Sequence, residues 1–142
     1  MIRVFIDTNV FISAYFWNGN ERNLVKIKKK GIEYFTSQQV LDEIKKVLKE
    51  KFNVDDRDVS NYLSKIYTNF NLANPDVKLQ VFVRDHSDTN ILKSALSARC
   101  QFLVTGDKDL LDLKKVKETR ILNSVGLIDA LELNFPPEKI AD

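Results

Sequence analysis

The sequence is poor in the residues that announce specialised chemistry. Its 142 residues include one cysteine, Cys100, and one histidine, His86. A single cysteine excludes an internal disulfide, and its apolar neighbours after a helical stretch predict a buried, inert thiol rather than a nucleophile. Redox chemistry has no support. With four glycines and three prolines, the chain carries no Gly- or Pro-rich linker, and no repeat, low-complexity segment or composition shift divides it. One domain over residues 1–142 is expected, long enough to enclose a real core. No apolar run is long enough to span a bilayer, and Met1-Ile2-Arg3 enters a strand without a charged leader or cleavage site. A cytoplasmic location without membrane association is therefore expected. Neither sign of charge dominates: 22 Lys and Arg against 20 Asp and Glu leave +2, which permits a nucleic-acid partner without arguing for one.

What the chain does have is alternation. Ile2 to Ile6, Ile32 to Thr36, Gln101 to Thr105 and Arg120 to Leu122 read as strands. Val77 to Val83 reads as extended, with its place in the sheet open. Between them lie helical patterns. Asn9 to Phe16 is a short helix, and Trp17 to Asn20 a loop ending in an N-cap. Leu24, Val25 and Ile27 mark a second helix that runs through Lys28 to Lys30 and stops at Gly31. Ser37 caps a helix whose apolar face is Val40, Leu41, Ile44, Val47 and Leu48. Val59, Tyr62, Leu63, Ile66, Tyr67 and Phe70 repeat at helical spacing before Asn74-Pro75. A helix from about Asp88 to Arg99 follows, and the last one is capped by Ser124 and runs to Leu133, before Pro136-Pro137. Strands alternating with helices imply an α/β three-layer sandwich, a central parallel sheet flanked by helices.

Acids recur where such a fold keeps its chemistry. Asp7 directly follows the first buried strand, and Asp107 follows Phe102-Leu103-Val104 in the same arrangement. Polar groups after such strands gather at the carboxyl edge of a parallel sheet, where open α/β sheets hold their sites. Helices begin at that edge too, so Glu43 and Asp88 join it. On a wheel centred at Ile44, Glu43 falls about 40° beyond Val47 while Asp42 points away, at roughly 100° per residue. Asp88 shares an inward stripe with Leu92 and Ala95.

Each acid also has an ordinary explanation. Asp7 suits a helix cap, Asp88 suits a helix N-terminus at ~0.3–1 kcal/mol, and Glu43 suits a solvated flank. Four such coincidences at one edge are harder to accept, because carboxylates about 4 Å apart repel by roughly 4 kcal/mol at an effective dielectric of ~20. A cation belongs between them. Oxygen ligands suit Mg2+ or Mn2+, and such an ion polarises a phosphodiester and activates water. His86 lies near Asp88, but a structural or solvent-exposed role fits it better than a general base. Asp109 is within reach of a second ion, though a solvated position in the turn after Asp107 fits it better. The lysines at 28 to 30, 45, 46, 49, 51, 114, 115 and 117 belong mainly to solvated faces and helix ends, with a minority left for phosphates. Trp17 reads as a packing residue before a base-stacking one.

Four segments together resemble the PIN domain family: Ile6-Asp7-Thr8-Asn9-Val10-Phe11-Ile12-Ser13-Ala14, Glu43 in the helix after Thr36-Ser37, Asp88-Thr89-Asn90-Ile91-Leu92-Lys93-Ser94-Ala95, and Thr105-Gly106-Asp107-Lys108-Asp109-Leu110-Leu111. The resemblance covers nearly the whole chain. It implies a metal-dependent endoribonuclease using Mg2+ or Mn2+, with Asp7, Glu43, Asp88 and Asp107 matching the acidic quartet and Asn9 and Thr105 its supporting polar positions. Asp85-His86-Ser87 is less acidic than in many relatives, which argues against a metal role for Asp85. Stand-alone PIN domains of this size resemble the toxin components of toxin-antitoxin pairs, implying an RNA substrate, a small antitoxin partner and a homodimer. The aromatic stripe of Tyr62, Tyr67 and Phe70, larger than a small domain always buries, points the same way. The rival is a non-hydrolytic RNA- or protein-binding module that keeps the acids for folding or metal binding. A receiver- or phosphatase-type domain fits poorly, since Asp7-Thr8-Asn9 lacks a second acid and no lysine follows a late strand.

Overall fold

The computed structural model describes residues 1–26 and 28–135. The chain runs β1 (Ile2–Ile6), α1 (Thr8–Phe16), α2 (Asn20–Lys26), β2 (Ile32–Ser37), α3 (Gln38–Glu50), α4 (Asp56–Asn69), β3 (Asn71–Ala73), α5 (His86–Ser97), β4 (Phe102–Val104), α6 (Lys108–Leu111), β5 (Lys115–Val116), β6 (Thr119–Leu122) and α7 (Ser124–Leu131). The six strands form one sheet in the order β3-β2-β1-β4-β6-β5. Five are parallel, and β5 pairs antiparallel with β6. The expected central parallel sheet is present, with one short reversed strand added at its edge.

That strand order determines where a site can form. The chain moves outward from β1 through β2 to β3, then returns to β4 on the other side of β1. Right-handed crossovers put α1 to α4 on one face and α5 on the opposite face. The reversal makes the β1/β4 boundary a topological switch point, which opens a crevice at the carboxyl ends of these two strands. Val4, Phe5 and Ile6 stand opposite Phe102, Leu103 and Val104. All but Phe102 of these are essentially solvent-free, as strands covered on both faces require. Phe11, Leu24, Ile44, Leu48, Leu92, Leu110 and Leu127 complete the interior, each contributing about 1.5–3 kcal/mol by burial.

Local chemistry explains the differences from expectation. Among the described residues the second helix covers Asn20–Lys26 and Lys28 to Lys30 lie outside it, so Gly31, with φ of +87°, serves the turn into β2 instead of a helix stop. Lys28 lies over the Tyr34 and Phe70 rings at 5.7 and 5.1 Å, contacts that a continuing helix does not require. Ile27, assigned to that helix, and Pro136-Pro137, assigned to the end of the last one, lie outside the described residues. The cap of α7 is Asn123, whose side chain accepts from Gly126 N at 2.8 Å, and Ser124 is the first helical residue. The α5 helix starts at His86, two residues early, because Asp85 caps it by accepting from Ser87 N at 2.9 Å. Val77 to Val83 makes no strand. Its end is pinned by Thr89, whose hydroxyl meets both Val83 N and Val83 O.

The aromatic stripe is mostly satisfied within the chain. Phe70 is buried against Phe11, with ring centroids 5.1 Å apart. Tyr62 is partly buried and donates its hydroxyl to the Phe11 carbonyl at 2.6 Å. Only Tyr67, 63% exposed, remains open. Cys100 is buried as expected, and burial pushes its thiol up to about 12. No described helix is long and apolar enough to cross a membrane.

Candidate active site

Each acid reaches the switch point by a local route. Asp7 leaves β1 in extended conformation and becomes the N-cap of α1, its Oδ1 accepting from Thr8 N at 2.7 Å. Its Oδ2 is thereby left to accept from Thr105 Oγ1 at 2.8 Å, a hydroxyl on the residue that follows the neighbouring strand β4. Thr105 Oγ1 also accepts from Asp107 N at 3.0 Å, so one hydroxyl joins the two strand-end acids. Asp107 caps α6, taking Asp109 N on its Oδ1 at 2.9 Å. Asn9 Oδ1 accepts from Gly106 N at 2.9 Å, which ties the start of α1 to the same loop. Asn9 and Thr105, named as supporting polar positions from sequence, are the residues that make these bonds.

Glu43 and Asp88 come from helices that begin at that edge. Glu43 is half-buried and Asp42 exposed, as the helix phase requires. Glu43 Oε2 accepts from Thr8 Oγ1 at 2.6 Å, which brings α3 against the residue following Asp7. Asp88 is buried, on a stripe with Leu92 and Ala95.

The electrostatics record how closely the acids meet. Burial, opposed by the Thr105 and Thr8 hydrogen bonds and reinforced by the charges of Glu43 and Asp107, raises Asp7 to about 6. Burial, then the charges of Asp107, Asp85 and Asp7, raises Asp88 to about 7. Four acids contributed by separate segments therefore feel one another at a single edge. Carboxylate oxygens of Asp88, Asp107 and Asp109 lie within 4.8 Å of one another, so Asp109 belongs beside the cluster rather than in a merely solvated turn. Sequence spacing left this as the weaker of two readings, because Asp109 falls in a four-residue helix with no periodicity to read.

The donor set fits a hard divalent cation. It is built of carboxylate oxygens, three of them within 4.8 Å of one another, and burial first, then the charges of neighbouring carboxylates, raises Asp7 and Asp88. Asp85 faces outward instead, and its bonds to Ser87 hold its carboxyl below the usual range. His86 is exposed. Trp17 caps the far end of α1, a nine-residue helix about 13 Å long, which removes it from the acids; it is 60% exposed beside Phe16.

Comparison with known proteins settles the family. The PIN domain model matches residues 3–109, a span that includes every acid of the cluster. The chain belongs to the PIN domain family. An uncharacterized protein of Methanocaldococcus jannaschii is 33% identical over 133 residues, covering 89% of this PIN domain chain and 84% of that protein. Two solved structures share the fold. VapBC2 from Rickettsia felis, bound to a DNA fragment from their promoter, superposes with a TM-score of 0.63 at 14% identity, over 86% of this chain and 98% of that one. VapBC-1 from nontypeable Haemophilus influenzae gives 0.58 at 12% identity, over 88% and 99%.

Proposed function

We propose that this PIN domain is a Mg2+- or Mn2+-dependent endoribonuclease that hydrolyses RNA phosphodiester bonds and acts as the toxin of a toxin-antitoxin pair, restrained by a small antitoxin protein. The observation that carries the reading is the convergence of acids from separate segments on the β1/β4 switch point, with Asp88 raised to about 7 by burial and its neighbours' charges. In this reading Asp7, Glu43, Asp88 and Asp107 are the catalytic, metal-holding residues; the three carboxylates that meet within 4.8 Å are those of Asp88, Asp107 and Asp109, while Asp7 and Glu43 flank that group. A bound divalent ion supplies Lewis-acid polarisation of the phosphodiester and acidifies water for attack. The protein's own part is positioning. Thr105 sets Asp7 against Asp107, Asn9 fixes the Gly106 backbone, and Thr8 holds Glu43.

The toxin reading is supported by likeness in size and fold, since the matched fold accounts for nearly all of each VapBC chain. A homodimer belongs to the same proposal, on narrower grounds than the aromatic stripe suggested, with Tyr67 as its open residue. The deciding experiment is cleavage of a mixed cellular RNA pool by wild type and Asp7→Asn, with Mg2+ or Mn2+ and with excess chelator. Wild-type cleavage that needs the metal and disappears in the variant is expected. Full activity in chelator would sink the metal-dependent reading. Binding of RNA without cleavage under every metal condition would favour the non-hydrolytic module.

A further inference from the structure

Two adjacent glutamines on α3 make the same local contact in different surroundings. Gln38 Nε2 donates to Asp42 Oδ1 at 3.0 Å, and Gln39 Nε2 to Glu43 Oε1 at 3.1 Å, each one turn along the helix. Gln39 also reaches beyond its own helix: the same nitrogen donates to the Ser87 carbonyl at 3.1 Å. Ser87 lies in the first turn of α5, one residue before Asp88. The other oxygen of Glu43 is taken by Thr8 Oγ1 at 2.6 Å. Glu43 is thus gripped on both oxygens, and one of the grips fastens α3 to the backbone beside Asp88.

We infer that Gln39 is a positioning residue for the acidic site: its amide holds the Glu43 carboxylate in fixed relation to the helix turn that carries Asp88. This rests on the metal-site reading above. The chemistry of the side chain suits the task. A primary amide nitrogen has two N–H groups and serves two acceptors at once, and it brings no net charge into an already anionic site. Donation to a carboxylate is charge-assisted and stronger than a neutral bond. Glu43 adds to the negative charge felt by Asp7, and Asp7 to that felt by Asp88, so the Gln39 bridge holds Glu43 and the turn carrying Asp88 in place among acids that repel through Asp7. Outer partners of this kind typically govern metal affinity by about 10–100-fold.

The test uses the full chain and Mn2+ as the probe, with free Mn2+ measured by electron paramagnetic resonance and the Mn2+ dependence of RNA cleavage measured in parallel. Gln39→Met keeps the length and helix preference of the side chain and removes its donors. Gln39→Asn keeps the amide and shortens its reach, and provides a second reading should Gln39→Met fail to fold. Gln38→Met is the matched control, since it deletes the equivalent bond to exposed Asp42. Both Gln39 variants are expected to bind Mn2+ about 10-fold more weakly and to need correspondingly more Mn2+ for half-maximal cleavage, with the rate at saturating Mn2+ largely restored. Gln38→Met is expected to bind as wild type. Wild-type Mn2+ affinity in the Gln39 variants, or equal weakening in Gln38→Met, overturns the inference and leaves the metal site standing. A wild-type protein that does not bind Mn2+ overturns the metal-site reading itself, and this inference with it.

Discussion

Replacing Asp7 with Asn tests the acid cluster through stability as well as activity. Asp7 is 5% exposed, and its carboxyl stands at about 6 against an ordinary 3.8. The folded chain therefore binds this proton more tightly than the unfolded chain, and stability present below pH 3.8 is lost as the pH rises through about 6. At 1.36 kcal/mol per tenfold change, the full loss is about 3 kcal/mol. Asn removes the charge while its carbonyl oxygen still caps α1 through Thr8 N. The contact with Thr105 becomes an amide-hydroxyl bond, at a cost of about 1 kcal/mol. Without metal, Asp7→Asn should be less stable than wild type by up to about 1 kcal/mol below pH 4, equal to it at about pH 4.5, and more stable by about 1–2 kcal/mol at pH 7 and above. In a chain of this size the gain corresponds to roughly 3–8 °C in melting temperature. Thermal melts from pH 4 to 8 in chelator, repeated with Mg2+ or Mn2+, measure both halves of the argument. Wild type should gain stability from the ion by mass action, and the variant should lose most of that gain. A difference between the two proteins that does not change with pH would refute the electrostatic account. A variant that keeps the wild-type metal response and still cuts RNA would remove Asp7 from the site altogether.

Glu43→Gln should abolish most cleavage while Asp42→Gln leaves it near wild type, because only Glu43 turns inward from α3; equal loss in steady-state assays would mean that the helix serves the site differently. Asp109→Asn should weaken Mn2+ binding several-fold, since its carboxylate lies within 4.8 Å of Asp88 and Asp107, and unchanged affinity by calorimetry would return Asp109 to the solvated turn. Light scattering should report twice the chain mass of 16.4 kDa, and a monomer at high micromolar concentration would count against the homodimer.

How far this fold can be read from the chain depends on whether an element's conformation is decided locally. The strand β1 and the helices α3 and α5 are dense in periodic apolar residues, and their boundaries fall within about two residues of expectation. The strands β3 and β5 are different. Asn71–Ala73 is a three-residue edge strand with two exposed positions, formed because β2 offers Phe35, Thr36 and Ser37 as partners. Lys115–Val116 is two residues long and turns back on β6 through Lys117, at φ of +51°, with no glycine to announce the reversal. Such elements are decided by the rest of the sheet, and no window of their own sequence contains the information.

The candidate site shows the same dependence in a sharper form. Read from sequence, capping and metal binding look like competing explanations of Asp7, and the structure raises the same question for Asp107. In the structure both residues are caps, each spending Oδ1 on a backbone N–H of the helix that follows. The two roles are compatible because a carboxylate has two oxygens and a cap needs one. Capping at a strand-to-helix junction also places the second oxygen outside the carboxyl end of its strand, toward the crevice that the switch point opens. For Asp7 that oxygen meets Thr105, and through Thr105 it is tied to Asp107. The cap is thus the device that aims the acid. Gln39 and Thr8 do for Glu43, inside a helix and without a cap to orient it, what the helix N-termini do for the two strand-end acids. Sequence spacing shows which acids can reach the edge; Thr8 and Thr105, which meet Glu43 and Asp7, lie 35 and 98 residues from them along the chain, and only the fold brings them together.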